Sequence, residues 1–257
     1  MMSRWLGSRI GRWGMLAVIL SSFAHAEEEL PQTEEFTKGQ AAYEQGKYDE
    51  AISSFETAVK KNPKDYVSWK HLGMALLDKG EPEKAIQALD KTLALSPDFP
   101  YALRTRGLAY ISMGESDKGF ADLSKAIKLS PELAQFHADL AQVYLDKNML
   151  DRAANEITIA VKLDPKEAWN YCTRGQIHLQ RKLVEKAIAD FQEAQRLNPE
   201  IVDVHHHLGM SYLKKGNHKA AKESLEKYLK ASKGTAGQDE WKAEAKKALD
   251  GLPQSAR

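Results

Sequence analysis

The sequence predicts an all-α protein made of six consecutive helix–turn–helix units and one further helix. Two residue patterns with the same 34-residue period support this prediction. A proline lies near the end of each of the first five units, directly after Asn, Ser or Asp. This dipeptide disfavours continued helix and stops the preceding one. Inside each unit, a residue recurs where a left-handed turn between two helices is expected. The prolines are Pro63, Pro97, Pro131, Pro165 and Pro199, and the turn residues are Gly46, Gly80, Gly114, Asn148, Lys182 and Gly216.

Apolar residues between these markers return at the spacing of an α-helix. In the second unit, Trp69, Leu72 and Leu76 share a face of the first helix, and Ala85 and Leu89 share a face of the second. A small residue also recurs in every first helix, and we interpret it as the point where the two helices of a unit approach closely. These residues are Gly39, Gly73, Gly107, Ala141, Gly175 and Gly209. The predicted units are residues 32–65, 66–99, 100–133, 134–167, 168–201 and 202–235.

This pattern resembles the tetratricopeptide repeat (TPR). The stretch WKHLGMAL, followed by Ala85, Leu89 and Pro97, is similar to the pattern of Trp, Leu-Gly, Tyr, Ala, Phe and Pro in that repeat. The resemblance covers residues 32–235, with two local departures: Gly119 replaces the usual Ala of the third unit, and Lys233 replaces the proline of the sixth. It implies a right-handed α-solenoid whose concave face is lined by first helices and binds a peptide or a partner helix.

Residues 1–26 are typical of a signal peptide. Three arginines precede an apolar run from Trp13 to Phe23, and Ala24-His25-Ala26 fits a cleavage site after Ala26. The apolar run is shorter than the roughly 20 residues that a membrane-spanning helix needs. We therefore expect cleavage, no stable membrane insertion and a periplasmic protein, with secretion as the alternative.

The segments around the repeats have simpler predictions. Residues 27–31 form an acidic disordered tail, and Thr33 begins the first helix. Residues 236–250 form a capping helix, in which Trp241, Ala245 and Leu249 cover the last repeat. Residues 251–257 are predicted to be a disordered tail.

Charge and motifs exclude several function classes. Cleavage removes three arginines and no acidic residue, which leaves 34 basic and 36 acidic residues. This near-neutral balance predicts no nucleic-acid partner. No phosphate-binding loop, nucleophile elbow or HExxH motif occurs in the sequence. We therefore predict no enzyme activity and no cofactor. The single cysteine, Cys172, allows no internal disulfide.

The resemblance and the repeat phase together predict a partner-binding groove. Positions two, five, nine and twelve of each unit are expected to face the partner. The resulting set is rich in aromatic, methionine and amide side chains, which suit an apolar helix or an extended segment. Its members are Phe36, Tyr43, Lys70, Met74, Tyr101, Arg104, Leu108, Gln142, Trp169, Gln176, His206 and Met210. Leu77, Ile111 and Leu213 share these positions, and packing between first helices is an open alternative for them.

Lys70 and Arg104 resemble the carboxylate clamp of chaperone-binding members of the family. Met74 and Leu108, however, occupy places that such clamps give to Asn or to a second cation. Solvated cations are therefore the expected interpretation of Lys70 and Arg104.

The sequence therefore predicts a non-enzymatic interaction scaffold of the periplasm or cell envelope. Two alternatives stay open. The protein is an accessory or regulatory subunit of an envelope enzyme complex, or it is a structural protein that self-associates by placing a terminal segment in the groove of the next copy.

Three consecutive histidines, His205, His206 and His207, suggest a metal site at first sight. Consecutive helical residues point about 100° apart, so their rings do not converge on one ion. We predict no metal and interpret the run as the opening turn of the sixth repeat. His206 occupies the groove position and is predicted to titrate near neutral pH.

Overall fold

The computed structural model describes residues 33–232 and 239–253. Over these residues the chain forms thirteen α-helices and no strand, which confirms the predicted fold class. The leader, the acidic tail at 27–31 and Lys233 lie outside the described residues. The helices are α1 (Glu34–Glu44), α2 (Tyr48–Lys61), α3 (Tyr66–Lys79), α4 (Pro82–Leu95), α5 (Pro100–Ser112), α6 (Ser116–Leu129), α7 (Ala134–Asp146), α8 (Leu150–Leu163), α9 (Ala168–Gln180), α10 (Val184–Leu197), α11 (Val202–Lys214), α12 (His218–Ala231) and α13 (Asp239–Asp250).

Consecutive helices pack in pairs, as in TPR solenoids. The chain divides between Pro131 and Glu132 into two compact parts. We call these parts the first unit and the second unit, and we call each 34-residue repeat a helix pair. The first unit contains the pairs α1–α2, α3–α4 and α5–α6, and the second contains α7–α8, α9–α10 and α11–α12. In the second unit, α13 packs against both α11 and α12.

Local sequence explains where the helices start and turn. The side chain of Thr33 accepts a hydrogen bond from the Phe36 amide at 3.2 Å, as expected of an N-cap. The predicted turn residues all have the left-handed conformation. Four are glycines, whereas Asn148 and Lys182 adopt φ values of 56° and 62° with a side chain present. Lys182 is the less suited of these two, because Asn tolerates this region better than Lys does.

The small residues of the first helices bring paired helices close together. A Cβ atom on Gly39 would lie 2.7 Å from the Phe55 ring, so nothing larger fits without movement. In the third pair, a Cβ on Gly119 would lie 2.6 Å from the Gly107 carbonyl oxygen. The replacement of Ala by Gly119 thus accompanies an especially close approach of α5 and α6.

Two hydrogen bonds join a first helix to the proline turn before it. The Trp69 indole nitrogen donates to the Pro63 carbonyl oxygen at 3.0 Å. Tyr171, at the same repeat position, donates its hydroxyl to the Pro165 carbonyl oxygen at 3.1 Å. A large polar-tipped residue at position four therefore fixes the turn that ends the preceding pair.

Two segments at the C-terminus refine the predictions. Residues 239–250 form α13 within the predicted capping segment. Leu252, in the tail predicted to be disordered, is only 4% exposed, so this side chain packs onto the fold. Within residues 33–232 and 239–253, no helix is both long and apolar enough to cross a membrane.

Candidate partner-binding face

We call positions two, five, nine and twelve of each pair the first-helix face. In the first unit, Tyr101 at position two of this face has two neighbouring rings beside the face, Tyr66 and Phe99, and we call the three rings the aromatic patch. The ring centroids lie 5.4 Å apart for Tyr66 and Phe99, and 6.1 Å apart for Phe99 and Tyr101. Tyr101 is 42% exposed. The Lys70 ammonium lies 5.5 Å from the centroid of Phe99, so a cation adjoins the patch.

A polar cluster lies on the same unit beside Arg104. The Tyr43 hydroxyl donates a hydrogen bond to the Asp78 carboxylate, and the Tyr48 ring centroid lies 5.9 Å from that of Tyr43. Burial raises the pKa of Asp78 to about 6, although the Tyr43 hydrogen bond and the Arg104 charge act in the opposite direction. Burial and the neighbouring Asp78 charge raise the pKa of Tyr43. Asp78 thus places a titratable negative charge close to Arg104. The carboxylate clamp of chaperone-binding TPR proteins is made of cations and has no such negative charge.

The apolar members of the predicted set differ in exposure. Met74 and Leu108 are half-buried, and Leu108 packs against the core of the first unit. Phe36 is 3% exposed, with its ring centroid 5.8 Å from that of Phe55 and 4.9 Å from that of His71. Phe36 is therefore a core residue of the first unit, which differs from the predicted groove position.

Phe36 is buried because it occupies position five of its helix pair. This position is buried in four of the six pairs, at Phe36, Ala138, Cys172 and His206. A residue from the following first helix covers it: His71 lies on Phe36, and Trp241 lies on His206 with ring centroids 5.0 Å apart. Position five thus lies between neighbouring first helices, and only a long side chain such as Lys70 or Arg104 keeps partial exposure there.

The second unit presents amides and Trp169. Gln142 donates its Nε2 to Asp146 Oδ1 at 2.9 Å, and burial raises the pKa of Asp146. Gln176 Nε2 lies 3.1 Å from His207 Nε2. Trp169 is half-buried against a core that includes Cys172 and Phe191. This part of the face is more neutral than that of the first unit.

Helix α13 covers the first-helix face of the last pair. The His206 ring stacks on Trp241 at an interplanar angle of 5°, and His206 is 4% exposed. Met210 packs against the cluster of Leu225, Tyr228 and Ala245, in which Ala245 belongs to α13. Burial lowers the pKa of His206 below its ordinary value, although Glu244 acts in the opposite direction.

The three consecutive histidines enter different surroundings. His205 Nδ1 lies 3.2 Å from Gln195 Nε2, whereas His207 stacks on Phe191 with ring centroids 5.1 Å apart. Among the described residues, no group of three or more His, Cys, Asp and Glu side chains could hold a metal ion.

Sequence reasoning missed the ion pairs that two arginines of first helices form with aspartates of second helices. Arg106 Nε lies 2.7 Å from Asp122 Oδ2, and its Nη1 lies 2.7 Å from Asp90 Oδ1. Arg174 Nη2 lies 2.6 Å from Asp190 Oδ1. The available signal was an Arg at position seven, where three of the other four repeats carry Leu, with an Asp sixteen residues later.

Comparison with known protein families gives two results. Models described as tetratricopeptide repeat match residues 36–100 and 138–201, which together make half of the chain, and a further one matches residues 105–133. A model described as regulator of microtubule dynamics protein 1-3 matches residues 177–253. No curated protein matches the chain at a significant level.

Solved structures with the same fold include three of different origin. YrrB, described as a TPR protein with an unusual peptide-binding site, is 21% identical with a TM-score of 0.57, and the match covers 77% of this chain and all of YrrB. PilF of Pseudomonas aeruginosa is 14% identical with a TM-score of 0.69, covering 82% of this chain and 96% of PilF. A chain of the APC/C hetero-tetramer Cut9–Hcn1 is 18% identical with a TM-score of 0.76, covering 87% of this chain and 44% of its own length.

These structural likenesses show the fold, and the repeat models account for half of the sequence. Together with the paired helices and the close-packed small residues, they establish the family. The chain belongs to the tetratricopeptide repeat family.

Proposed function

We propose that the protein is a non-enzymatic protein–protein interaction scaffold of the periplasm or cell envelope, which binds a partner segment on its first-helix face. The observation that carries the proposal is the aromatic patch. Tyr101, exposed to 42% beside two half-buried rings, offers rigid contact area with a polar tip, and such side chains are enriched at protein interfaces.

The chemistry around the patch indicates what the partner offers. Lys70 and Arg104 bring two positive charges to the first unit, while Met74 and Leu108 bring adaptable apolar area. An extended or helical segment with an aromatic or aliphatic side chain and a nearby carboxylate matches this surface. YrrB, which shares the fold, is itself described as having a peptide-binding site.

The proposed location rests on the leader. Its arginines, apolar run and Ala-x-Ala site are those of an export signal. Cell fractionation of the full chain with a C-terminal tag tests this directly. A shortened protein in the periplasmic fraction is expected, and full-length protein in the cytosol would contradict the location without affecting the binding proposal.

Site-specific photo-crosslinking tests the binding face. Benzoylphenylalanine is placed at Tyr101 or, as a matched control, at Leu95, which is also 42% exposed but lies at the end of a second helix. We expect a partner to crosslink at Tyr101 and not at Leu95, and Arg104→Glu to reduce its yield. Equal yields at both positions, or a yield that Arg104→Glu leaves unchanged, would contradict the proposed face.

A further inference from the structure

Helix α13 occupies a place that other pairs offer to the next repeat. In the first unit, His71 of a following first helix lies on Phe36 at position five. In the last pair, Trp241 of α13 lies on His206 at the same position. The helix thus uses the surface of α11 on which a seventh first helix would pack.

Helix α13 buries fewer of its residues than the internal helices do. Ala245 is the one residue of α13 that is fully buried, whereas α11 buries five and α9 buries six of their residues. His206 Nδ1 is enclosed without a hydrogen-bond partner, whereas Nε2 lies 3.2 Å from Glu244 Oε2 of α13. An enclosed ring nitrogen without a partner opposes burial. With so few buried residues of its own, α13 is held weakly compared with an internal helix.

The groups that surround His206 come from three helices. His207 on α11 lies 5.7 Å away and Tyr228 on α12 lies 5.1 Å away, measured between ring centroids. From α13 come Trp241 and the half-exposed carboxylate of Glu244. Asp203 and Asp239 carry further negative charge near Tyr228. Glu244 favours the protonated imidazole, and burial disfavours it more strongly.

We propose that α13 is a pH-sensitive latch, which covers the α11 surface carrying His206 and Met210 at neutral pH and leaves it when the solution becomes mildly acidic. While α13 is bound, burial holds the pKa of His206 below its ordinary 6.5. After release, the imidazole regains that ordinary value and takes up a proton. Acid therefore favours the released form.

The direction of the pKa change determines the pH range in which α13 is released. The docked form binds fewer protons than the released form, so docking has its full strength above pH 6.5 and weakens below it. The ratio of released to docked chains rises by up to about tenfold for each pH unit below that value. The consequence for partner binding rests on the proposed function: release adds His206 and Met210 to the surface that a partner can reach.

Fluorine NMR of the full chain tests release without any partner. The chain is labelled with 5-fluorotryptophan, and Trp241→Phe assigns the Trp241 resonance. Between pH 8 and pH 5 we expect this resonance to move to a solvent-exposed position. The Trp69 and Trp169 resonances report on the repeats and are expected to stay in place. A Trp241 resonance that does not change, or one that moves together with Trp69 and Trp169, would overturn the latch.

Three variants separate titration from simple packing. His206→Phe copies the residue that the first unit carries at Phe36, and it should keep Trp241 docked at every pH. Glu244→Gln removes the charge that favours protonated His206 in the docked form, so release should be more complete at pH 5. His205→Phe alters a neighbouring histidine that contacts Gln195 and should leave the transition unchanged. A transition that persists in His206→Phe would assign it to another group and overturn the proposal. Since none of these readouts needs a partner, their failure is distinguishable from failure of the proposed binding face.

Discussion

Two positions of the first-helix face differ in availability, position two, which Tyr101 occupies in the first unit, and position five, which His206 occupies in the last helix pair. In the first unit, Tyr101 is 42% exposed and Lys70 adjoins it through Phe99. In the last pair, His206 is 4% exposed beneath Trp241. The comparison teaches that the positions of one predicted face are not equally available to a partner. Position five is buried in four of the six pairs, whereas position two keeps at least partial exposure in all six.

Position five illustrates the physical reason. A short or planar side chain at this position is covered by the following helix, as Phe36 and Cys172 are. A long cationic side chain can instead extend past the covering residue and keep its charge in water. Lys70 and Arg104 remain partly exposed in this way. The two charged residues at position five, Lys70 and Arg104, therefore both lie in the first unit.

The largest expected effect comes from the helix contact at Gly107. A Cβ there would lie 3.0 Å from the Gly119 carbonyl oxygen and 3.2 Å from Leu123. Gly107→Leu should lower the free energy of unfolding by roughly 1–3 kcal/mol, because overpacking forces the backbones apart. Urea titration followed by circular dichroism measures it. Tyr101→Leu, exposed on the same helix, is the control and should change stability little; equal losses would refute the contact.

The next effect compares the ion pairs of the two units. Arg106 keeps Asp90 as a second partner when Asp122 is neutralised. Among the described residues, Asp190 is the one carboxylate paired with Arg174. Asp190→Asn should therefore cost more stability than Asp122→Asn, by about 1 kcal/mol of the 1.5–3 kcal/mol typical of charged hydrogen bonds. Thermal unfolding of both variants decides the order, and a greater loss for Asp122→Asn would contradict it.

The next prediction concerns Asp78 of the first unit and the dependence of the protein's stability on pH. The folded-state pKa of Asp78 is raised from 3.8 to about 6. The folded protein thus binds the extra proton more tightly, so this group makes the protein less stable at pH 7 than at pH 4.5. Asp78→Asn should raise the melting temperature at pH 7 and have a smaller effect at pH 4.5. An equal increase at both pH values would show that Asp78 is not the titrating group.

The smallest expected effect is at the left-handed turn of the second unit. Lys182 has a φ of 62°, which a glycine adopts without strain. Lys182→Gly should raise the free energy of unfolding by about 0.5–1 kcal/mol. Asn148→Gly is the matched control, and its gain should be smaller because Asn tolerates this conformation. Chemical denaturation compares the two, and a larger gain for Asn148→Gly would contradict this ranking.

Most of the fold could be predicted because it depends on local, repeated chemistry. The prolines, the left-handed turn residues and the small residue at Gly39 or Gly107 each act within one helix pair. The exposure of His206 could not be predicted in this way, since it depends on where Trp241 packs, across a segment without repeat pattern. The Arg174–Asp190 pair was also missed, because the repeat pattern has Leu at the position of Arg174 and assigns no residue to the position of Asp190.

Hydroxyl-radical footprinting of the full chain at neutral pH tests the central claim most directly. Modification rates, corrected for the intrinsic reactivity of each residue type, should be much higher at Tyr101 than at His206, in keeping with exposures of 42% and 4%. Addition of the partner captured at Tyr101 should protect Tyr101 and leave His206 unchanged. Fast modification at His206 together with a slow, partner-insensitive rate at Tyr101 would contradict the account.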